Sequence, residues 1–173
     1  DAELSGRWHP LVFTEESYNV CSAGEFWLEA LFHLGNEPGN ERWKKTHEEL
    51  LTEKDEVRLR ERALSQLIGF AEAKNKKILL MVENMGMLFE GQINNNEAWT
   101  IRLTLLNEPR IMLIGTALQK FDEIENSDKA MFELFKVYEL KPLNKAECGQ
   151  IWKSIARKPL ADNRTRPVQI LTG

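Results

Sequence analysis

The sequence predicts an α/β protein built on a parallel sheet, with helices on both faces in a three-layer arrangement. Two apolar runs of strand length, Ile78–Val82 and Ile111–Ile114, each follow a basic residue and end at polar ones. Short runs without a polar interruption are typical of strands that are buried on both faces. Amphipathic helical segments lie between the runs, and such alternation indicates right-handed crossovers in a parallel sheet.

The amino-terminal part predicts one strand and one helix. The strand is expected over residues 9–14, with Pro10 near its start, where a missing hydrogen-bond donor is tolerated. Ser22 followed by Glu25 is a capping-box pattern, so a helix is expected to begin there. Gly35 is expected to end it.

A long helix is expected next, from about Thr46 to Ala73. Between Glu41 and Arg62 the sequence has seven acidic and seven basic residues, many of them three or four positions apart. This spacing indicates a solvated helix face whose charges pair with one another, with a partner-binding face as the alternative. The predicted buried stripe consists of Val57, Leu64, Leu67, Ile68 and Ala71.

The central part predicts two strands joined by a helix. The strand at 77–83 is followed by a loop whose methionines, with Phe89, are expected to pack beneath it; a methionine-rich recognition groove is the alternative. A helix is expected after Asn94–Asn96 and before Pro109, because the residue ahead of a proline disfavours helix. The second strand follows at 110–116.

The carboxyl-terminal part predicts a short helix and turn over 118–130 and then a third buried segment. Phe132, Phe135 and Val137 belong to this segment, which is expected to end in a strand near 136–140. Asn144 is expected to cap a further helix that runs to about Ala156.

Composition and charge narrow the classes of function. The net charge is −4, which argues against a nucleic-acid grip over the whole surface. Nucleic acid stays open as a partner only because residues 153–167 carry five bases against one acid. Cys21 and Cys148 lie far apart in a chain without a secretory signal, so reduced thiols and a cytoplasmic location are expected. No apolar run has the length of a membrane span, so no membrane partner is expected.

Four segments in order resemble the core of an AAA+ ATPase, close to the signal-transducing STAND-like and origin-initiator branches. Ile78–Asn84 is similar to the Walker B strand, and Ile111–Thr116 is similar to the sensor 1 strand. Phe135–Leu143 resembles the fifth strand and the turn into the helical lid. Val168–Gly173 resembles the lid segment that leads into the sensor 2 arginine. The resemblance implies an incomplete P-loop NTPase-like fold, with residues 1–142 as a partial ATPase core and 143–173 as the beginning of a lid.

The sequence also departs from the family pattern. No segment fits the phosphate loop G-x-x-x-x-G-K-[ST], which the family places ahead of the first strand and hence before Asp1. The sensor 2 arginine would fall beyond Gly173. We therefore expect a piece of a longer protein that lacks the Walker A segment and the end of the lid, and we expect this chain alone to bind no ATP or Mg²⁺.

The resemblance assigns the catalytic positions to Glu83, Asn84 and Thr116. In the longer parent, Glu83 would organise Mg²⁺ and Thr116 would hydrogen-bond the γ-phosphate or the attacking water. Asn84 stands where the family usually has a glutamate base, and an amide is a poor general base. Glu15 or Glu16 is the alternative base, and Lys136 is the nearest candidate for the arginine finger.

Two functions follow from these observations. The first is a fragment of an ATP-binding ATPase that acts as a nucleotide-dependent conformational switch. The alternative, which Asn84 favours, is a non-catalytic interaction or scaffold domain that retains the ATPase fold. The resemblance also places a missing strand between 110–116 and 136–140, so the chain is expected either to pair these segments directly or to self-associate through exposed edges.

Overall fold

The structure is a computed structural model that describes residues 6–13 and 20–157. The chain divides into two units, Asp1–Lys136 and Val137–Gly173. The elements of the first unit are β1 (Trp8–Phe13), α1 (Ala23–Gly35), α2 (Glu41–Leu50), α3 (Glu56–Lys74), β2 (Lys77–Val82), a π-helical segment (Met87–Gln92), α4 (Asn95–Asn107), β3 (Ile111–Gly115) and α5 (Asp122–Glu125). The second unit contains α6 (Lys145–Arg157).

The three strands form one parallel sheet in the order β1-β2-β3. Leu80 at the centre pairs with Leu11 on one side and with Leu113 on the other. The predicted α/β class and the predicted parallel pairing are confirmed. Both connections between neighbouring strands contain helices, as parallel pairing requires.

The helices of the described residues cover one face of the sheet. Its side chains are buried: Leu11, Phe13, Ile78, Leu80, Val82, Ile111 and Leu113. On the opposite face, Val12, Met81, Met112 and Ile114 are 38–47% exposed. Helices α1, α3 and α4 contact β1, β2 and β3 respectively. The described residues thus form two layers, and they do not supply the predicted third one.

Helix α1 begins and ends where the sequence predicts. The Glu25 amide donates to Ser22 Oγ at 3.1 Å, which forms the predicted cap. The Glu25 side chain reaches back one residue beyond the cap, where Oε2 accepts from the Cys21 amide at 2.7 Å. Gly35 is its last residue. Phe26 and Trp27 are fully buried and meet edge to face, so α1 is the centre of the helical layer.

The single long helix predicted from Thr46 to Ala73 is wrong, because the chain breaks after α2 and restarts at α3. Glu53 accepts hydrogen bonds from the amides of Lys54 and Asp55, and Asp55 accepts one from the amide of Arg58. These local side-chain acceptors compete with helical hydrogen bonds and cap the new helix. The buried face of α3 consequently differs from the predicted stripe: Val57 is exposed, and Leu59, Ala63, Leu67, Phe70 and Ala71 are buried.

The segment after β2 is helical, where a loop was expected. Met87–Gln92 forms a π-helical turn, and Met85 and Phe89 are buried as predicted. Helix α4 ends before Pro109, as predicted, and it begins at Asn95, slightly earlier than the predicted start after Asn94–Asn96. Asn94 caps it by accepting from the amide of Glu97.

The strand predicted near 136–140 is wrong. Residues 136–144 form neither helix nor strand, and the exposed fraction of Leu140 is 90%. Upstream, Arg102 donates to the carbonyls of Ala130 and Phe132 at 2.6 and 2.7 Å, which holds that part of the chain in turns. Strand-forming residues need a partner strand, and neither the predicted pairing with 110–116 nor any other strand partner is found in the described ranges.

In the second unit, α6 begins with a complete capping box. The amides of Ala146 and Glu147 donate to Asn144 Oδ1, and the Asn144 amide donates to Glu147 Oε2. The predicted cap is therefore confirmed. Ile151, Trp152 and Ile155 are exposed on this helix.

Candidate functional site

The carboxyl ends of the strands meet at one edge of the sheet. The Glu83 amide donates to the Phe13 carbonyl at 3.2 Å, and the Thr116 amide donates to the Val82 carbonyl at 3.0 Å. The tip of β2 is therefore fixed to both neighbouring strands. In open α/β sheets, ligands bind outside this edge.

The structure brings all three sequence-predicted site residues to this edge. The backbone amide of Asn84 donates to Thr116 Oγ1 at 3.4 Å, and the backbone amide of Met85 donates to the Thr116 carbonyl at 2.8 Å. Glu83 and Thr116 are exposed to solvent and Asn84 is half-buried. An exposed carboxylate, an amide and a hydroxyl are thus grouped on two adjacent strand tips.

Asn84 adopts a left-handed backbone conformation, with φ of 51°. Asparagine tolerates this region better than most residues with a side chain, glutamate included, although Glu133 also adopts it with φ of 55°. The conformation turns the chain away from the strand directly after Glu83. The backbone conformation is therefore one reason for an asparagine at position 84, in addition to the chemistry of its side chain.

The tip of β3 also requires a glycine, which sequence reasoning missed. The side chain of Met85 occupies the place where a Cβ on Gly115 would stand, so any larger residue would overlap Met85 Sδ. Met85 is itself 4% exposed. The sequence signal was the glycine at the end of an otherwise apolar strand, a position that indicates close approach.

The tip of β2 contributes one carboxylate to this edge, that of Glu83. In the described part of the chain, no group of three or more His, Cys, Asp or Glu side chains gathers at one point. Mg²⁺ does not need such a cage, because it keeps several waters and is commonly held by one or two carboxylates together with substrate phosphates. Glu83 is exposed, so its carboxylate is accessible to such an ion.

The other predicted site residues are Glu15, Glu16, Lys136 and the sensor 2-like segment. Glu15, Glu16 and the sensor 2-like segment Val168–Gly173 lie outside the described residues. Lys136, the predicted arginine-finger candidate, is exposed and is the last residue of the first unit.

The amino terminus of α1 is not available as an anion site. The amide of Gly24 and the hydroxyl of Ser22 donate to the Glu56 carboxylate at 2.5 and 2.8 Å, and the Ala23 amide donates to Glu97 Oε2 at 2.9 Å. Two carboxylates from other helices therefore satisfy this terminus and would repel a phosphate. The sequence did not show them, because Glu56 and Glu97 are distant in the chain.

Compared with family models, curated proteins and solved structures, the chain matches none of them. The AAA+ resemblance therefore depends on the residues of this sequence and on their arrangement at the strand tips. Among the described residues, every helix is too short or too polar to cross a lipid bilayer.

Proposed function

We propose that this chain is part of the ATP-binding core of an AAA+ or STAND-like ATPase and works as a nucleotide-dependent conformational switch. The observation that carries the proposal is the adjacency of the β2 and β3 tips, where the Asn84 amide meets the Thr116 hydroxyl. The resemblance implies such a pair, with a Walker B-like tip beside a sensor 1-like tip. The parallel order β1-β2-β3 is the one that this arrangement needs.

Each residue has a distinct role in the proposed switch. The exposed Glu83 carboxylate would hold Mg²⁺ through water, and the bound ion would neutralise charge on the nucleotide phosphates. Thr116 Oγ1 can accept from the Asn84 amide while its own hydroxyl hydrogen stays available to donate to a γ-phosphate oxygen. Presence or loss of that oxygen would then be read directly at the junction of β2 and β3.

The open side of the sheet supports the finer proposal of a three-layer P-loop fold. The apolar side chains Val12, Met81, Met112 and Ile114 form a sheet face that no helix within residues 6–13 and 20–157 covers, and β3 is an edge strand of the described sheet. In the family that this chain resembles, the phosphate-loop strand lies beside the strand that corresponds to β3, and its helix lies over the face that is open here. We propose that an upstream segment supplies both in the full protein.

Asn84 favours the second candidate function, a scaffold that keeps the ATPase fold without turnover. An amide cannot take a proton as a carboxylate can, and the left-handed φ of 51° suits asparagine for a reason unrelated to catalysis. An Asn84→Asp change separates these effects, because aspartate also tolerates this conformation and restores a carboxylate. Asn84→Glu restores the usual family residue at a strain of about 1–2 kcal/mol.

The experiment uses a chain extended upstream to include a G-x-x-x-x-G-K-[ST] segment, with the 173-residue chain as its control. Calorimetry should show Mg²⁺-dependent ATP binding by the extended chain and none in the low-micromolar range by the chain alone. Glu83→Gln should weaken that binding by at least about tenfold, because it removes charge from the metal site. Glu49→Gln, an exposed change on α2, is the matched control.

Nucleotide binding decides between the two functions, and turnover tests whether a base is missing. Asn84→Asp and Asn84→Glu should each raise the ATPase rate of the extended chain if its slow step lacks a base. An extended chain that binds no nucleotide, or one in which Glu83→Gln and Glu49→Gln behave alike, would rule out the switch and leave the scaffold.

A further inference from the structure

Met85 lies between the two polar strand tips without belonging to the chemistry assigned to them. It follows the left-handed Asn84 directly, so the turn at Asn84 directs its side chain back across the tip of β3. There it occupies the space that Gly115 leaves open, and it is almost fully buried. The Met85 side chain therefore packs closely against Gly115, and we call this contact the seat of Met85.

Two backbone hydrogen bonds involve Thr116, the residue directly after Gly115. The Met85 amide donates to the Thr116 carbonyl at 2.8 Å, and the Thr116 amide donates to the Val82 carbonyl at 3.0 Å. The Thr116 hydroxyl faces the Asn84 amide at 3.4 Å, which is a longer and weaker contact. Backbone pairing therefore leaves the hydroxyl loosely held, while the Met85 side chain packs against Gly115, the residue directly before Thr116.

We propose that Met85 is a positioning residue of the strand-tip site, and that its seat on Gly115 holds the Thr116 hydroxyl against the Asn84 amide. The inference rests on the proposed function for its biological meaning, because positioning matters only if Thr116 contacts a ligand. The physical coupling between Met85, Gly115 and Thr116 does not depend on any ligand.

The coupling is tested in the 173-residue chain by amide hydrogen exchange followed by NMR. Met85→Ala should raise exchange at the Met85 and Thr116 amides by roughly tenfold relative to Leu80 at the sheet centre. Met85→Leu, which keeps most of the volume, should restore protection. Met81→Ala, a methionine change on the open sheet face, should alter neither amide selectively.

A double-mutant cycle gives a readout that general destabilisation does not produce. Gly115→Ala places a Cβ against Met85 Sδ and should disturb the Thr116 amide strongly. In the Met85→Ala background the same change should disturb it much less, because the obstacle is gone. An effect of Gly115→Ala that is equal in both backgrounds, or Met85→Ala exchange that matches Met81→Ala, overturns the inference.

The nucleotide arm keeps this inference separate from the proposed function. In the extended chain, Met85→Ala should lower kcat more than it raises KM, and Met85→Leu should rescue kcat. If the extended chain binds no nucleotide while the cycle shows coupling, the proposed function fails and the coupling stands. If nucleotide binds and Met85→Ala leaves both constants unchanged, the positioning role is wrong and the proposed function survives.

Discussion

The two faces of the sheet have similar apolar side chains and opposite surroundings. Leu80 and Met81 are consecutive residues of the central strand, yet Leu80 is fully buried and Met81 is 38% exposed. Pleating explains the alternation, because successive side chains point to opposite faces. Composition alone predicts burial for both, as in a parallel sheet with two helical layers. The apolar pattern therefore shows which sheet faces can be buried. Which face is buried here depends on where the helices pack.

Truncating one residue on each face breaks the comparison most directly. Leu80→Ala removes a fully buried side chain and should lower the free energy of unfolding by about 2–5 kcal/mol. Met81→Ala should cost well under half of that, because its side chain already meets solvent. Urea denaturation of both variants measures the difference. Equal losses would mean that something covers the open face in solution.

The covered face also depends on how closely α1 approaches α2. A Cβ on Gly35 would stand 2.7 Å from the backbone N and Cα of Lys44, and backbone atoms cannot move aside cheaply. Gly35→Ala should therefore destabilise the chain by about 1–3 kcal/mol. Gly69→Ala, where nothing lies within 4 Å inside α3, should instead stabilise it by about 0.5–1 kcal/mol. A loss at both positions would point to a general intolerance of these helices.

Sequence reasoning succeeded where the signal was local. The caps at Ser22 and Asn144 each depend on side chains within three residues, and both were predicted. Asn94 caps α4 through a contact of the same range, but only a helix after Asn94–Asn96 was predicted there. The break between α2 and α3 was also local, since Glu53 and Asp55 bond their own neighbourhood, but the charge pattern hid it.

Predictions failed where the structure depends on contacts between residues that are distant in sequence. The strand expected near 136–140 needed a partner strand that the described residues do not provide. The Glu56 carboxylate binds the start of α1 from 32 residues away, and Glu97 does so from 74. For the candidate site, Glu83, Asn84 and Thr116 could be placed together because parallel strands end at one edge. The seat of Met85 on Gly115 could not, because it depends on a side-chain path.

The open face gives a prediction about assembly. Parallel apolar sheet faces and free strand edges favour association, so the chain should form dimers or larger assemblies at micromolar concentration. Ile114→Lys, on the edge strand and 47% exposed, should shift it toward the monomer, and Leu103→Lys on the outer side of α4 is the control. Light scattering decides this. A wild-type monomer would show that the open face is tolerated alone.

The smallest expected effect concerns pH and the helical layer over the covered face. Burial lowers the pKa of His47 from its ordinary value of 6.5, with Glu29 and Glu48 opposing the shift. The ring lies against Phe32 of α1, with centroids 5.3 Å apart, so α2 packs best with His47 neutral. Above the unfolded-state pKa both states are neutral and the folded protein loses nothing. As pH falls below that value, the unfolded state takes up the proton more readily and stability decreases, until both states are charged below the lowered pKa.

His47→Gln should therefore reduce the loss of stability between about pH 7.5 and about pH 5.5. Urea midpoints of the wild type and the variant at the two pH values measure this difference. An identical pH dependence in both proteins would show that protonation of His47 is not resisted by its place between α1 and α2. The covered face would then be insensitive to charge at its outer helical layer.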